Sequence, residues 1–198
     1  MSRIFKIYNI KSSITLYRKI NQLLKAIADR NWIRFTYRKM DSEEPFTMEL
    51  YPIMVFISHR NPYVYCYNRK DEIRMIAVER IQSIDSFFEA TPPACDMALL
   101  KDMLSDPFGV SCETQPYEVK LLITPYQAPY EKEKQWPKGK VSFTDTEEGT
   151  VMTAVTRTIF DVRRYILKRT PYIKVLSPQW LRDSIQNLLQ RGIDAYRQ

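Results

Sequence analysis

The stretch that decides the fold is Asn61-Pro62-Tyr63-Val64-Tyr65-Cys66-Tyr67-Asn68, followed by Arg69-Lys70-Asp71-Glu72 and Ile73-Arg74-Met75-Ile76-Ala77-Val78. Aromatic residues alternate with small apolar ones, then four polar residues intervene, then a second apolar alternation follows. Alternation with period two marks a strand, and a short polar interruption marks a hairpin turn. Successive strand side chains point to opposite faces. Tyr63, Tyr65 and Tyr67 are therefore expected on one face, with Val64 and Cys66 turned toward a core and Cys66 acting as a small core residue.

Working outward, Trp32–Tyr37 (WIRFTY) is a further strand. Phe46–Ser58 (FTMELYPIMVFIS) is a strand pair or one bent strand, with Pro52 marking a bend or an edge. From Thr15 to about Arg30, Leu16, Ile20, Leu23, Leu24 and Ile27 recur at helical spacing, with Ser13 or Thr15 as a cap. A helix followed by about five short antiparallel strands predicts a small Sm-like or SH3-like β-barrel over residues 15–88, with residues 1–14 as an N-terminal arm.

Beyond residue 88 the composition shifts. Residues 89–116 contain Pro92, Pro93 and the short helical run DMALLKDMLSD, and predict a connector. Regular patterning resumes at Tyr117. YEVKLLI, a helical PYQAPYEKEKQW, a KVSFTDT/GTVMTAVTRT hairpin around Glu147, Glu148 and Gly149, a helical IFDVRRYILKR and YIKVLS follow in order. A final helix carries Trp180, Leu181, Ile185, Leu188, Leu189 and Ile193 on one stripe. Ser177 is its expected cap and Pro178 its first residue. The β-α-β-β-α-β order predicts a ferredoxin-like α+β domain over residues 117–198.

Charge follows the same division. The net charge is +7 overall, and its parts are +6 over residues 1–88, −4 over 89–116 and +5 over 117–198. Two basic units joined by an acidic connector favour an anionic partner. Glycine is scarce at 4 residues and no GxGxxG or Walker-type string occurs, which removes the common phosphate-cradling loops. Cys66, Cys95 and Cys112 are irregularly spaced and His59 is the one histidine, so neither a disulfide framework nor a metal site is expected. No cofactor is implied. A nucleophilic cysteine lacks a second imidazole as base, and no GxSxG elbow is present, so an enzyme is not expected. No apolar run approaches ~18 residues, and the first residues lack a signal peptide's apolar core. A cytoplasmic protein without membrane contact is the expectation.

The ordered motifs resemble the WYL domain and its C-terminal extension, WCX. Ala26-Ile27 matches the end of the entering helix, Ile33-Arg34-Phe35-Thr36-Tyr37 the first strand, and Leu50-Tyr51-Pro52 the second. Pro62-Tyr63-Val64 stands at the name-giving triplet, and Arg74 to Ile81 at the arginine-rich strand. LLKDMLSDPFGV resembles the family's link, and YIKVLSPQWLRDSI the end of the extension. Only Tyr63 of the triplet is kept, and Ala77 stands where the family usually has an arginine.

This likeness implies a ligand-sensing module of a bacterial-type transcriptional regulator, working as a homodimer and binding nucleic acid or a nucleotide-like anion on the barrel. The alternative is a protein-interaction adaptor. The expected ligand-binding residues are Tyr37, Arg38, His59, Tyr63, Tyr65, Arg74 and Arg80. Aromatic faces edged by arginines suit bases and phosphates, since base stacking contributes ~1–3 kcal/mol per base. Arg157, Arg163, Arg164 and Lys168 form a second basic patch. Family members usually carry a DNA-binding domain ahead of the WYL domain. The residues before Trp32 are too few for one, so DNA is expected to be reached through a missing or separate domain.

Overall fold

The computed structural model of the protein describes residues 10–40, 44–58, 60–110, 113 and 115–197, with side chains from residue 14 onward. His59 and Cys112 lie outside the described residues. The chain separates into two compact units, 1–96 and 97–198. The first eight residues of the expected connector therefore go with the first unit, and the remainder with the second.

The first unit opens with α1 (Ile10–Ala28), which begins five residues before the expected start, so Ser13 and Thr15 lie inside the helix. It buries Leu23 and Ala26, whereas Leu24 of the expected apolar stripe is 49% exposed. Five strands follow: β1 (Trp32–Tyr37), β2 (Phe46–Ser58), β3 (Asn61–Tyr67), β4 (Ile73–Ala77) and β5 (Ile81–Phe88). They form one antiparallel sheet in the order β4-β3-β2-β1-β5.

The expected β-barrel does not close. A 3-10 turn over Val78–Arg80 carries the chain from β4 to the far side of β1. β4 and β5 are thus the two edges of an open sheet, with no ladder joining them among the described residues.

Two local features set the sheet's faces. The β3–β4 turn is built by Asn68, whose Oδ1 accepts from the backbone N–H groups of Lys70 (2.9 Å) and Glu72 (3.0 Å), while Asp71 takes φ 57°. β2 is one bent strand. Its pairing with β3 jumps from Pro52↔Cys66 to Met54↔Tyr65, so Ile53 is an extra residue in a bulge. Before the bulge Phe46, Met48 and Leu50 face the core; beyond it Val55 does.

The second unit contains α2 (Met97–Leu104), β6 (Tyr117–Ile123), α3 (Ala128–Lys132), β7 (Val141–Thr146), β8 (Gly149–Thr156), α4 (Ile159–Leu167), β9 (Ile173–Ser177) and α5 (Gln179–Ala195). Its four-stranded antiparallel sheet has the order β7-β8-β6-β9. Val119, Leu121, Ile123, Met152 and Val175 of the sheet pack with Val162 and Ile166 of α4 and Leu181 and Ile185 of α5.

Ser177 does not cap α5: it ends β9, and Pro178 takes the cap position without a side-chain hydrogen bond. The α5 stripe splits, because Trp180, Leu189 and Ile193 stay 43%, 37% and 49% exposed. The acidic stretch before β6 is internal wiring of this unit. Asp102 pairs with Lys140 and with Arg157, the latter at 2.9 Å, and Asp106 accepts from Thr156 Oγ1 at 2.9 Å and the Arg157 N–H at 2.6 Å.

Candidate functional site

The tyrosine strand lies between two partners. Tyr63, Tyr65 and Tyr67 stand opposite Ala77, Met75 and Ile73 of β4, and opposite Phe56, Met54 and Tyr51 of β2. Directly opposed residues share a face, so these nine form one side of the sheet. Val64, Cys66 and Ile76 fill the core on the other. Tyr65 is fully buried and Tyr67 is 2% exposed, so of the three tyrosines only Tyr63 reaches solvent to a useful degree.

The Tyr67 hydroxyl accepts from the Asp96 N–H at 3.0 Å and helps fasten residues 89–96, as does Trp32 Nε1 donating to the Thr91 carbonyl at 3.2 Å. Phe56 stacks on Tyr63 at 5.9 Å between ring centroids and lies 4.6 Å from Tyr65. Phe56 was not legible from the sequence, because the bulge at Ile53 reverses the alternation that would have placed it.

The expected arginines separate into two groups. Arg74 stands opposite Cys66, not a tyrosine, and its exposed guanidinium pairs with Glu72 at 2.5 Å. Arg34 and Arg69 both pair with Glu49. Arg38 and Arg80 instead meet at one corner, where the Arg38 N–H donates to the Arg80 carbonyl at 3.2 Å. Arg80 donates to the Met40 thioether, and neither arginine has a carboxylate partner among the described residues.

The 3-10 turn bearing Arg80 packs on β3 and follows directly from Ala77, which is opposite Tyr63. Tyr37 is a core residue, 7% exposed and edge-on to Phe35 and Phe46. The structure therefore joins Arg38 to Arg80 through the backbone, and the 3-10 turn links Arg80 to the row of Ala77, Tyr63 and Phe56, with Tyr65 buried beneath the aromatic pair. It sets Arg74 apart and Tyr37 below.

The second basic patch is likewise divided. Arg157 is spent on Asp102 inside the unit, and Arg164 lies 3.8 Å from Asp161 and over the Phe160 ring. Lys168 is exposed. Arg163 is half-buried, and its Nε has neither solvent nor a hydrogen-bond partner.

Cys66 is buried, and its burial pushes the thiol pKa far up, so it is a core residue with little thiolate. Among the described residues no cluster of three His, Cys, Asp or Glu side chains is arranged to hold a metal. No helix there is long and apolar enough to cross a membrane.

These features define a two-unit α+β chain whose first sheet carries an aromatic row linked through a 3-10 turn to two arginines that have no carboxylate partner among the described residues. Family models match the WYL domain over residues 18–86 and the WCX domain over residues 115–193, and the chain belongs to the WYL family with its WCX extension. A solved structure described as "Crystal structure of a CRISPR Cas-related protein" is similar at a TM-score of 0.64 and 17% identity, over 93% of this chain and 52% of that one. At that identity the likeness speaks to the fold. Proteasome accessory factor B/C (PafBC) of Arthrobacter aurescens is similar at a TM-score of 0.39 and 13% identity, over 93% of this chain and 28% of that one. The chain thus spans about half the length of the first structure and less of the second. No curated protein sequence matches the chain.

Proposed function

We propose that this chain is the ligand-sensing regulatory part of a WYL-type transcriptional regulator. It takes a nucleic acid or nucleotide-like anion at the corner formed by Arg38, Arg80, Tyr63 and Phe56. The observation that carries the reading is the pattern of charge pairing. Arg34, Arg69 and Arg74 are matched by Glu49 and Glu72, whereas Arg38 and Arg80 have no carboxylate partner among the described residues, and the 3-10 turn links Arg80 to Ala77, opposite Tyr63 of the half-open aromatic pair. Unmatched guanidinium groups next to a stacking ring suit a phosphate joined to a base.

On this reading the protein is a cytoplasmic, non-enzymatic homodimer that reaches DNA through a missing or separate domain. The strand order β4-β3-β2-β1-β5 with a 3-10 turn before the last strand supports an open, Sm-like or SH3-like arrangement. The order β7-β8-β6-β9 supports a ferredoxin-like second unit.

A thermal-melt screen of the full chain at low salt, against short single-stranded DNA, RNA and cyclic nucleotides, tests this reading. A ligand present at 100 times its Kd stabilises by about 2.7 kcal/mol. Arg80→Met is expected to weaken binding by about tenfold or more, the effect of losing one charge-assisted contact. No shift with any anion sinks the proposal.

A second reading, a protein-interaction surface, is favoured by one observation. Ala77, directly opposite Tyr63, leaves that face more apolar than the family pattern. Tyr63→Ala then disrupts assembly in size-exclusion chromatography. Intact assembly in that variant removes this reading.

A further inference from the structure

The second unit holds a groove of about 480 Å³ between α4 and α5, lined by Arg163, Trp180, Asp183, Asn187, Leu188 and Arg191 among others. That volume is in the range of small-molecule sites. We propose that this groove binds a small aromatic carboxylate, at a place distinct from the Arg38–Arg80 corner.

Three independent features point the same way. The first is Arg163 Nε, which is buried without an acceptor. Nε itself has no accessible surface, but the Arg163 side chain lines the groove, so an anion seated there offsets a guanidinium that the protein leaves short of acceptors.

The second is the charge count. Arg157, Arg164 and Arg169 of the same unit each face a carboxylate, whereas Arg163 and Arg191 have none among the described residues. Asp183, also in the groove, accepts from Gln179 Nε2 at 2.7 Å. Two guanidinium groups and one carboxylate leave the groove one positive charge in excess. A carboxylate monoanion matches that excess better than a phosphomonoester dianion, and a planar guanidinium binds it in bidentate fashion.

The third is the shape of the wall. Trp180, Asn187 and Arg191 recur at helical spacing along one face of α5. The Trp180 indole is 43% exposed, and Tyr117 packs against it at 5.2 Å and 65°. This contact braces the indole as a wall, leaving surface for a flat ring, with Leu188 as apolar lining and the Asn187 amide as a further hydrogen-bonding group.

The test is a titration of the full chain with sodium benzoate, followed through the three tryptophan indole N–H signals by NMR. Benzamide serves as the neutral isostere, and Trp180→Phe assigns the signal. The expected result is a saturable shift of the Trp180 signal, with Trp32 and Trp136 unmoved, and affinity at least about tenfold weaker for benzamide and for Arg163→Met. Arg191→Met, on the exposed face of α5, is expected to weaken benzoate in the same direction and decides the matter if Arg163→Met loses its native spectrum. A non-saturating shift, equal affinity for benzamide, or unchanged affinity in a natively folded arginine variant overturns the proposal. None of these variants touches Arg38 or Arg80, so failure here leaves the proposed function standing.

Discussion

Arg169 Nε donates to the carboxylate of Glu131 at 2.8 Å, and the Arg169 guanidinium lies 3.8 Å from the centroid of the Tyr165 ring. Glu131 is fully buried. Its two oxygens also accept from Gln127 Nε2 at 2.7 Å, from the Lys134 ammonium and from the Tyr165 hydroxyl, while its carbonyl accepts from Trp136 Nε1 at 2.7 Å. One buried carboxylate thus ties α3 to α4 and to the loop after α3. Burial alone pushes its pKa up, but the four side-chain hydrogen bonds overcome that and hold it down at about 2.

A depressed carboxylate pKa stabilises the fold above the unfolded value and loses that contribution as pH falls. For Glu131 the window runs from about 4.5, the unfolded value, down through about 2. The free energy of unfolding is therefore expected to fall steeply in that range, and more shallowly in Glu131→Gln. At pH 7 the variant is expected to be less stable by about 3–5 kcal/mol, the usual result of removing one partner of a buried pair. Urea melts at several pH values measure both effects.

Gly109 closes the segment before β6, and a Cβ placed there would sit within 3 Å of the Asp161 side chain. Asp161 cannot easily give way, because it is only 9% exposed and its N–H is held by Thr158 Oγ1 at 3.2 Å at the start of α4. Gly109→Ala is expected to destabilise by about 1–3 kcal/mol through overpacking. A denaturant midpoint equal to the wild type's would show that the contact relaxes freely.

Asp106→Ala removes the acceptor of the buried Thr156 hydroxyl and of the Arg157 N–H. Each unsatisfied buried donor costs about 1–3 kcal/mol. The variant is expected to unfold at lower denaturant. A loss seen by the second unit's tryptophans, Trp136 and Trp180, checks that Asp106 is structural there.

Ala77→Arg restores a guanidinium directly opposite Tyr63. On the proposed function it tightens anion binding about tenfold, the gain of one charge-assisted contact. Arg74→Met, whose guanidinium already pairs with Glu72 on the other face, is expected to change affinity by less than about twofold, since exposed pairs contribute little. Melt shifts with single-stranded DNA compare the two variants.

Much of the fold was readable locally. The alternation of Trp32–Tyr37 and of Asn61–Tyr67 is a strand signal wherever it occurs, and the Asn68–Glu72 turn is built by the side chain of its first residue. The order of elements in the second unit followed from the same periodicities. The ends of helices were less readable: α1 starts at Ile10 and α5 has Pro178 at its cap, because a capping preference is worth only about 1 kcal/mol and several neighbouring residues offer it.

By itself, the sequence determined which segments are strands and helices, the family, and the residue types available to a site, since each depends on patterns a few residues long. The tertiary structure alone decided which of them matter together. A single extra residue, Ile53, turned Phe56 onto the face of Tyr63, and pairing across the sheet buried Tyr65 and Tyr67 while leaving Tyr63 half open. The partners of each arginine were decided at long range too. Glu49 lies 15 residues from Arg34 and 20 from Arg69, so only the folded sheet could neutralise those two and leave Arg38 beside Arg80. Periodicity is a local property of the chain, whereas burial and charge neutralisation are sums over neighbours that folding brings together.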